Sequence, residues 1–311
     1  MTDRYNIYSK YLKEHYGEKV YKLPIKLDLT CPNRDGRLGH GGCIYCHEEG
    51  GSFENKEKHL SIREQLEKDK QTIENKYNAH KFISYFQNYS NTYMPLELFR
   101  QYVNEAVVEN VVAVSVSTRP DCIAREHLEI LKQLQDEKKV DIIVELGLQT
   151  SNNKTLKIIN RQHTVADFIR ACLMIKEYGF RICTHVILAL PWDDMDDVRE
   201  TAKLLSVLKI DECKIHSLYI PKHTILAKWY EEGKVQLKSL DDYVNEVCEF
   251  LKYLDKDILI QRLVGRMPEE NSVFCNWNTS HWKIQDLIIE KMEQENIFQG
   301  DNFSKRMGII I

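Results

Sequence analysis

Three cysteines stand in the arrangement C-x11-C-x2-C: Cys31, Cys43 and Cys46. Thiolates are soft ligands for iron and zinc. A trio holds three irons of a [4Fe-4S] cube and leaves the fourth open to chelation by the nitrogen and oxygen atoms of a small molecule. Glycines at 36, 39, 41 and 42 suit a loop wrapped closely around such a group. Tyr45, between the last two cysteines, is placed to cover an adenine ring of a ligand held there. A structural zinc site of the Cys3His type, completed by His40 or His47, is the alternative. Zinc ribbons pair two CxxC elements, however, and the cysteines at 122, 172, 183, 213, 248 and 275 form no second one. Nine cysteines is an odd count, and a chain of 311 residues needs no disulfide framework to hold a core.

The elements that must position these groups belong to a chain long enough for one large α/β domain with appendages, or for two domains. Its 43 basic and 47 acidic residues give a net charge of -4, so the whole-molecule field does not announce a nucleic-acid binder. Residues 1–40 carry a local balance of +3 next to the cysteine loop in sequence, which reads either as a solvated amphipathic face or, through Lys10, Lys13 and Lys19, as a docking surface for a polyanion. The polar stretch Met1–Val20 lacks the apolar core of a secretory signal, and no segment reaches about 18 apolar residues. A cytoplasmic location, with no membrane partner, is expected, and it suits free thiolates.

Strands and helices alternate. Strands are expected over 21–29, 81–86, 111–117, 141–148, 180–190 and 212–220, and helices over 4–16, 59–77, 96–109, 123–135, 164–178 and 195–208. Thr164 with Asp167 three residues on reads as a helix start. This order predicts a parallel sheet with helices outside it, and six units make a partial barrel rather than a closed eight-unit one. Beyond residue 221 a helix over 243–254, a short strand over 258–263 and a helix over 282–295 form a C-terminal extension that closes the open side. The domains are therefore taken as 1–220 and 221–311. Trp277, His281 and Trp282 in the extension are candidates for stacking a base or for packing a lid.

The expected C-terminal strand ends are polar: Gln87 to Thr92, Ser117 to Cys122, Gln149 to Ser151, and His216 within the sixth strand. Singly each is a turn-forming cluster. Recurring at one edge, with the cysteine loop after the first strand, they point to a shared pocket.

Seven segments together carry a resemblance: Lys22-Leu-Pro-Ile-Lys-Leu-Asp, the cysteine loop, Tyr85-Phe-Gln-Asn-Tyr-Ser-Asn-Thr-Tyr, Ser117-Thr-Arg-Pro-Asp-Cys, Glu145-Leu-Gly-Leu-Gln-Thr, Asn160-Arg-Gln-His-Thr and Lys214-Ile-His-Ser-Leu-Tyr. Over most of its length the chain resembles the radical S-adenosylmethionine (SAM) superfamily, in particular its YhcC/YtqA-like, MnmL-type group, which is similar to the radical SAM lobe of the Elongator catalytic subunit. The resemblance implies a partial (β/α)6 barrel, with Cys31, Cys43 and Cys46 as ligands of a [4Fe-4S] cluster. Tyr45, Gln87, Asn91, Thr92, Glu145, Gln149 and Arg161 would hold SAM: the segment from Gln87 to Thr92 at its methionine amino end, and Glu145, Gln149 and Arg161 at its ribose and carboxylate. Arg119, Asp121, Cys122 and His216 are the candidates on the substrate side.

Four positions depart from the group's pattern. Ala189, Trp192 and Gln162 stand where glycines are expected, and Arg266 where an acid is expected, so a narrower pocket is anticipated. The implied activity is one-electron cleavage of SAM to a 5′-deoxyadenosyl radical. Members of the group convert the carboxymethylaminomethyl side chain of the tRNA wobble uridine to aminomethyl, so tRNA and an electron donor such as flavodoxin or ferredoxin are the expected partners. The alternatives are a radical SAM oxidoreductase or decarboxylase of a small metabolite, and a non-catalytic zinc or iron-sulfur module.

Overall fold

Period-two patterning in short β-branched runs sets the frame. In the segment Val111–Thr118 the residues Val114 and Val116 point outward into the main core, while Ala113, Ser115 and Ser117 face the other way. The computed structural model describes residues 3–47, 50 and 60–303; the expected helix start at His59 and the last eight residues of the extension lie outside them.

The elements run α1 (Tyr8–Tyr16), β1 (Val20–Ile25), α2 (Ile62–Tyr77), β2 (Lys81–Phe86), α3 (Leu96–Glu105), β3 (Val111–Thr118), α4 (Arg125–Lys138), β4 (Asp141–Gln149), α5 (Asn153–Ile158), α6 (Val165–Glu177), β5 (Arg181–Leu188) and α7 (Met195–Val207). They continue with β6 (Glu212–Ser217), β7 (Ile220–Pro221), α8 (Ile225–Glu231), α9 (Leu240–Tyr253), β8 (Leu259–Arg262), β9 (Ser272–Phe274) and α10 (His281–Gln294). Strands β1 to β6 and then β8 pair in that order, every neighbour parallel, as a sheet curled into a partial barrel with helices outside.

The mixed α/β partial barrel agrees with expectation, with one addition. A seventh strand, β8, comes from the C-terminal segment and hydrogen-bonds to β6. Antiparallel β7 and β9 form a separate ribbon. The helix expected from Thr164 starts there, with the Thr164 and Asp167 side chains capping each other's backbone. The short helices α5 and α8 were not foreseen; six or seven residues give too little periodicity to read.

Inward-facing side chains fill the barrel in layers. The lowest is apolar: Ile83, Ala113, Ile143, Cys183 and Leu259 meet Tyr8 and Leu12 of α1, which plugs the end where the strands begin. The middle layer is polar, with Tyr85, Ser115, Glu145 and Lys214 buried and Lys22 and His185 partly so. Above it the barrel opens into a cavity.

Candidate functional site

The cavity holds about 490 Å³ at the C-terminal ends of the strands. Cys31, Cys43 and Cys46 all border it, and none is in a disulfide. The loop that carries them folds back on itself through Gly41 and Gly42, both at positive φ (75° and 82°), where a side chain would be strained. Asn33 Nδ2 and Arg161 Nη1 each point at the Cys43 sulfur from 3.6 Å, and Arg34 Nη1 at the Cys46 sulfur from 3.9 Å. Burial, with Cys43 adding to it, pushes the Cys46 thiol up to about 12. Burial raises the Cys31 thiol as well, so these two do not ionise readily by themselves, and a bound multivalent cation is what deprotonates such ligands. The donors aimed at the sulfurs fit a cluster. Neither His40 nor His47 borders the cavity, so the geometry does not complete a Cys3His zinc site.

Of the residues expected to hold SAM, Tyr45, Gln87, Glu145, Gln149 and Arg161 border this cavity with the cysteines. The side-chain oxygen of Gln87 is buried and lacks a hydrogen-bond partner. Gln149 sits just past a register shift in β4, at φ 77°, which turns its side chain to the cavity wall. Arg161 is anchored on Gly147 O at 2.9 Å and on His163 Nε2 at 2.9 Å.

Asn91 and Thr92 are placed differently. Asn91 Nδ2 is spent on the carbonyls of Phe86, Asn88 and Ser117, and Thr92 Oγ1 joins Thr118 Oγ1 at 2.6 Å and Cys122 O at 2.7 Å. Both staple the β2 and β3 loops together and neither borders the cavity.

Glu145 is saturated. Its Oε1 accepts from Lys22 Nζ at 2.6 Å and Ser115 Oγ at 2.7 Å, its Oε2 from Lys214 Nζ at 2.5 Å and His185 Nε2 at 2.7 Å. Burial opposes its charge, yet the two lysines hold the carboxyl well below the usual range. It borders the cavity as the anion of a buried network, with no oxygen left over for a diol.

On the substrate side, His216 and Arg119 border the cavity, while Asp121 and Cys122 face a separate groove. Arg119 is 1% exposed; it forms a fork to Asp121 (2.8 and 2.6 Å) and donates to Arg161 O at 2.8 Å, so it positions the Arg161 segment. Burial raises the Cys122 thiol to about 11, which leaves it protonated and unreactive. Trp277 is packed between Tyr243 and Phe274 and donates to Lys238 O, while Trp282 stands 66% exposed beside His281. His216 stacks on His185 with ring centroids 5.2 Å apart.

The anticipated narrowing does not occur through Ala189, Trp192 or Gln162, none of which borders the cavity. Ala189 and Gln162 keep the left-handed backbone (φ 59° and 65°) that makes glycine convenient there. Arg266 does border the cavity. The +3 segment is also displaced from where sequence proximity put it. Six residues of β1, about 20 Å of strand, separate α1 from the cysteine loop, so Lys10 and Lys13 lie on the helix plugging the opposite end of the barrel.

Several polar residues at this centre had no assigned role in the sequence: Lys22, Lys214, His185, Tyr85 and Arg262. Their signal was an inward register shared by ionisable residues on neighbouring strands, with His185 opposite Lys214 and Glu145 opposite Cys183.

Residues 35–205 match the model of the radical SAM superfamily, and residues 210–294 that of the radical SAM C-terminal domain. The uncharacterized protein YtqA of Bacillus subtilis is 33% identical over 303 residues, covering 97% of this chain and 94% of that protein. A tRNA uridine(34) acetyltransferase of Methanocaldococcus jannaschii is 28% identical over 171 residues, 54% of this chain and 31% of that one. The solved structure of Methanocaldococcus infernus Elp3, lacking residues 1–46, superposes with a TM-score of 0.67 at 17% identity, covering 90% of this chain and 64% of that one. No helix among the described residues is long and apolar enough to cross a membrane. With a family model spanning more than half its length and a relative aligned nearly end to end, the chain belongs to the radical SAM superfamily and to the group that includes YtqA and YhcC.

Proposed function

We propose that this radical SAM enzyme modifies the wobble uridine of tRNA, converting a carboxymethylaminomethyl side chain to aminomethyl. The observation that carries the reading is the 171-residue similarity to a tRNA uridine(34) acetyltransferase. The cavity lining supports it: Arg34, Arg161 and Arg262 border it beside a single carboxylate, Glu145, already held by Lys22 and Lys214, which suits a polyanion whose reacting group itself carries a carboxylate.

A [4Fe-4S] cluster and SAM, when bound, would supply one-electron radical chemistry to this cavity. The electron would come from a small donor such as flavodoxin or ferredoxin. The chain's own part is to hold and to shield. Cys31, Cys43 and Cys46 would hold the cluster, and Arg161, Asn33 and Arg34 direct N–H groups at two of their sulfurs. Gln87, Gln149 and Tyr45 border the cavity, where the two amides would meet the amino and carboxylate end of SAM and the tyrosine ring its adenine. The apolar plug of Tyr8 and Leu12 closes the lower end of the barrel to water.

The test is nucleoside analysis of bulk tRNA from a strain lacking the gene, with in vitro 5′-deoxyadenosine formation measured with and without that tRNA. Accumulated carboxymethylaminomethyluridine and tRNA-stimulated turnover are expected. An unchanged tRNA profile with no stimulation would hand the site to a small metabolite.

A further inference from the structure

Arg262, at the end of β8, faces the cavity without an acid. Its Nη2 lies 2.9 Å from Nδ1 and 2.8 Å from Nε2 of His216, its Nε is buried without a hydrogen-bond partner, and no carboxylate among the described residues pairs with it. His216 is a neutral support: burial, then the guanidinium itself, push its pKa well down, so the ring accepts an N–H and adds no charge.

The surrounding charges do not offset this cation. Both oxygens of Glu145 are taken up by Lys22, Lys214, Ser115 and His185, and the deeper acid Glu212 is matched by Arg181 at 2.8 Å and by Gln261. Beneath the cavity Lys22 and Lys214 already share Glu145, so no carboxylate is left for Arg262 at the cavity wall. Burying an unmatched charge is costly, and such a site is completed by an anion from outside. A guanidinium whose Nη2 rests on His216, and whose cavity face no acid meets, favours an incoming carboxylate.

We propose that Arg262, seated on His216, binds the carboxylate of the substrate and so selects molecules that carry one at the reacting side chain. The identification of that carboxylate with the carboxymethyl group of a modified uridine rests on the tRNA reading above. The binding of a carboxylate as such does not. The other source of the same chemistry is the methionine end of SAM, and the experiment separates the two.

The experiment uses cluster-loaded, SAM-saturated enzyme as wild type, Arg262→Gln and Arg262→Lys. The probe is iminodiacetate, which contains the carboxymethylamino fragment; because it also chelates iron, the visible absorbance of the cluster is followed alongside the Tm. Iminodiacetate is expected to raise the Tm of the wild type, to leave Arg262→Gln unmoved and to act partly on Arg262→Lys, while the Kd of SAM stays within about twofold. Without the probe, Arg262→Gln should be no less stable than wild type, since an unmatched charge has been removed. With carboxymethylaminomethyl tRNA, its KM should rise about 10- to 100-fold, the effect of losing a charged hydrogen bond. Equal stabilisation of wild type and Arg262→Gln by iminodiacetate, or none in either, overturns the proposal. A tenfold loss of SAM affinity in Arg262→Gln also overturns it and gives Arg262 to SAM. If the wild type ignores tRNA, the tRNA reading falls, and the iminodiacetate result alone decides the role of Arg262.

Discussion

Arg161 spans from Gly147 to Cys43: Nη2 donates to Gly147 O at 2.9 Å while Nη1 points at the Cys43 sulfur from 3.6 Å. The contact joins β4 to the cysteine loop and directs an N–H at a sulfur that becomes more negative when a cluster is reduced. Removing it should therefore make reduction harder. Arg161→Met is expected to move the cluster midpoint about 50–100 mV more negative, one-electron shifts in which about 59 mV corresponds to about 1.4 kcal/mol. Gly147→Ala should act in the same direction but less, because an added Cβ would sit 2.5 Å from Arg161 Nη2 and displace it without deleting it. A redox titration followed by electron paramagnetic resonance checks both; an unmoved midpoint in Arg161→Met would assign the contact to folding alone.

Cys43→Ala should remove the thiol without disturbing the barrel, since the cysteine loop lies outside the strands. Anaerobic reconstitution is expected to give about four irons per wild-type chain and a visible charge-transfer band. The variant should lose SAM cleavage and keep the far-ultraviolet circular dichroism of the wild type. Stoichiometric zinc uptake with no iron in the wild type would contradict the cluster assignment.

Glu145 faces two lysines in a buried layer, so neutralising it strands both cations. Glu145→Gln is expected to destabilise the fold by about 3–5 kcal/mol, the range for a broken buried ion pair. Adding Lys214→Met should recover part of the loss. Because the folded carboxyl sits below its unfolded value, its stabilisation is present above about pH 4.3 and disappears as pH falls through the folded value. Urea unfolding of the three proteins at pH 7 is the measurement, and a Glu145→Gln variant within about 1 kcal/mol of wild type would mean that water satisfies the lysines.

His185 gives a second, separate acid dependence. Burial and then Lys214 lower it to about 4, against Glu145, which raises it; Arg262 and the stacked His216 also face it. A histidine held neutral in the fold takes up a proton more readily when unfolded. Stability should therefore be complete above about pH 6.5 and decline as pH falls from about 6.5 towards 4. His185→Gln should flatten that slope in urea titrations across the window, and an unchanged slope would place the transition on other groups.

The parts of this site that lay close together in sequence were readable, and those assembled across strands were not. Cys31, Cys43 and Cys46 lie within sixteen residues, so spacing alone exposed their chemistry. The strands were readable because Val- and Ile-rich runs such as that of β3 have few alternatives. Lys22 and Lys214, by contrast, look like ordinary solvent-facing strand residues until the barrel closes and turns both onto Glu145. Asn91 and Thr92 shared the polarity of the true cavity residues for another reason: their side chains tie two loops together. Arg262 was hidden in a segment expected to form an extension, and its role becomes visible only when β8 is seen to pair with β6.

The position of α1 changes which surface a tRNA would use. Lys10 is paired with Asp3 at 2.5 Å on the helix beneath the barrel, far from the mouth of the cavity. At the other end, Arg37 is exposed on the cysteine loop and Arg266 is exposed at the cavity edge. Reversing Arg37 and Arg266 to Glu together should weaken tRNA binding and reduce the salt slope by roughly one to two phosphate contacts, while Lys10→Glu with Lys13→Glu should leave both nearly unchanged. Filter binding across a salt series distinguishes them. If the α1 pair carries the salt dependence and the mouth pair does not, the substrate approaches from the plugged end, and a direct path from docking surface to cluster is lost.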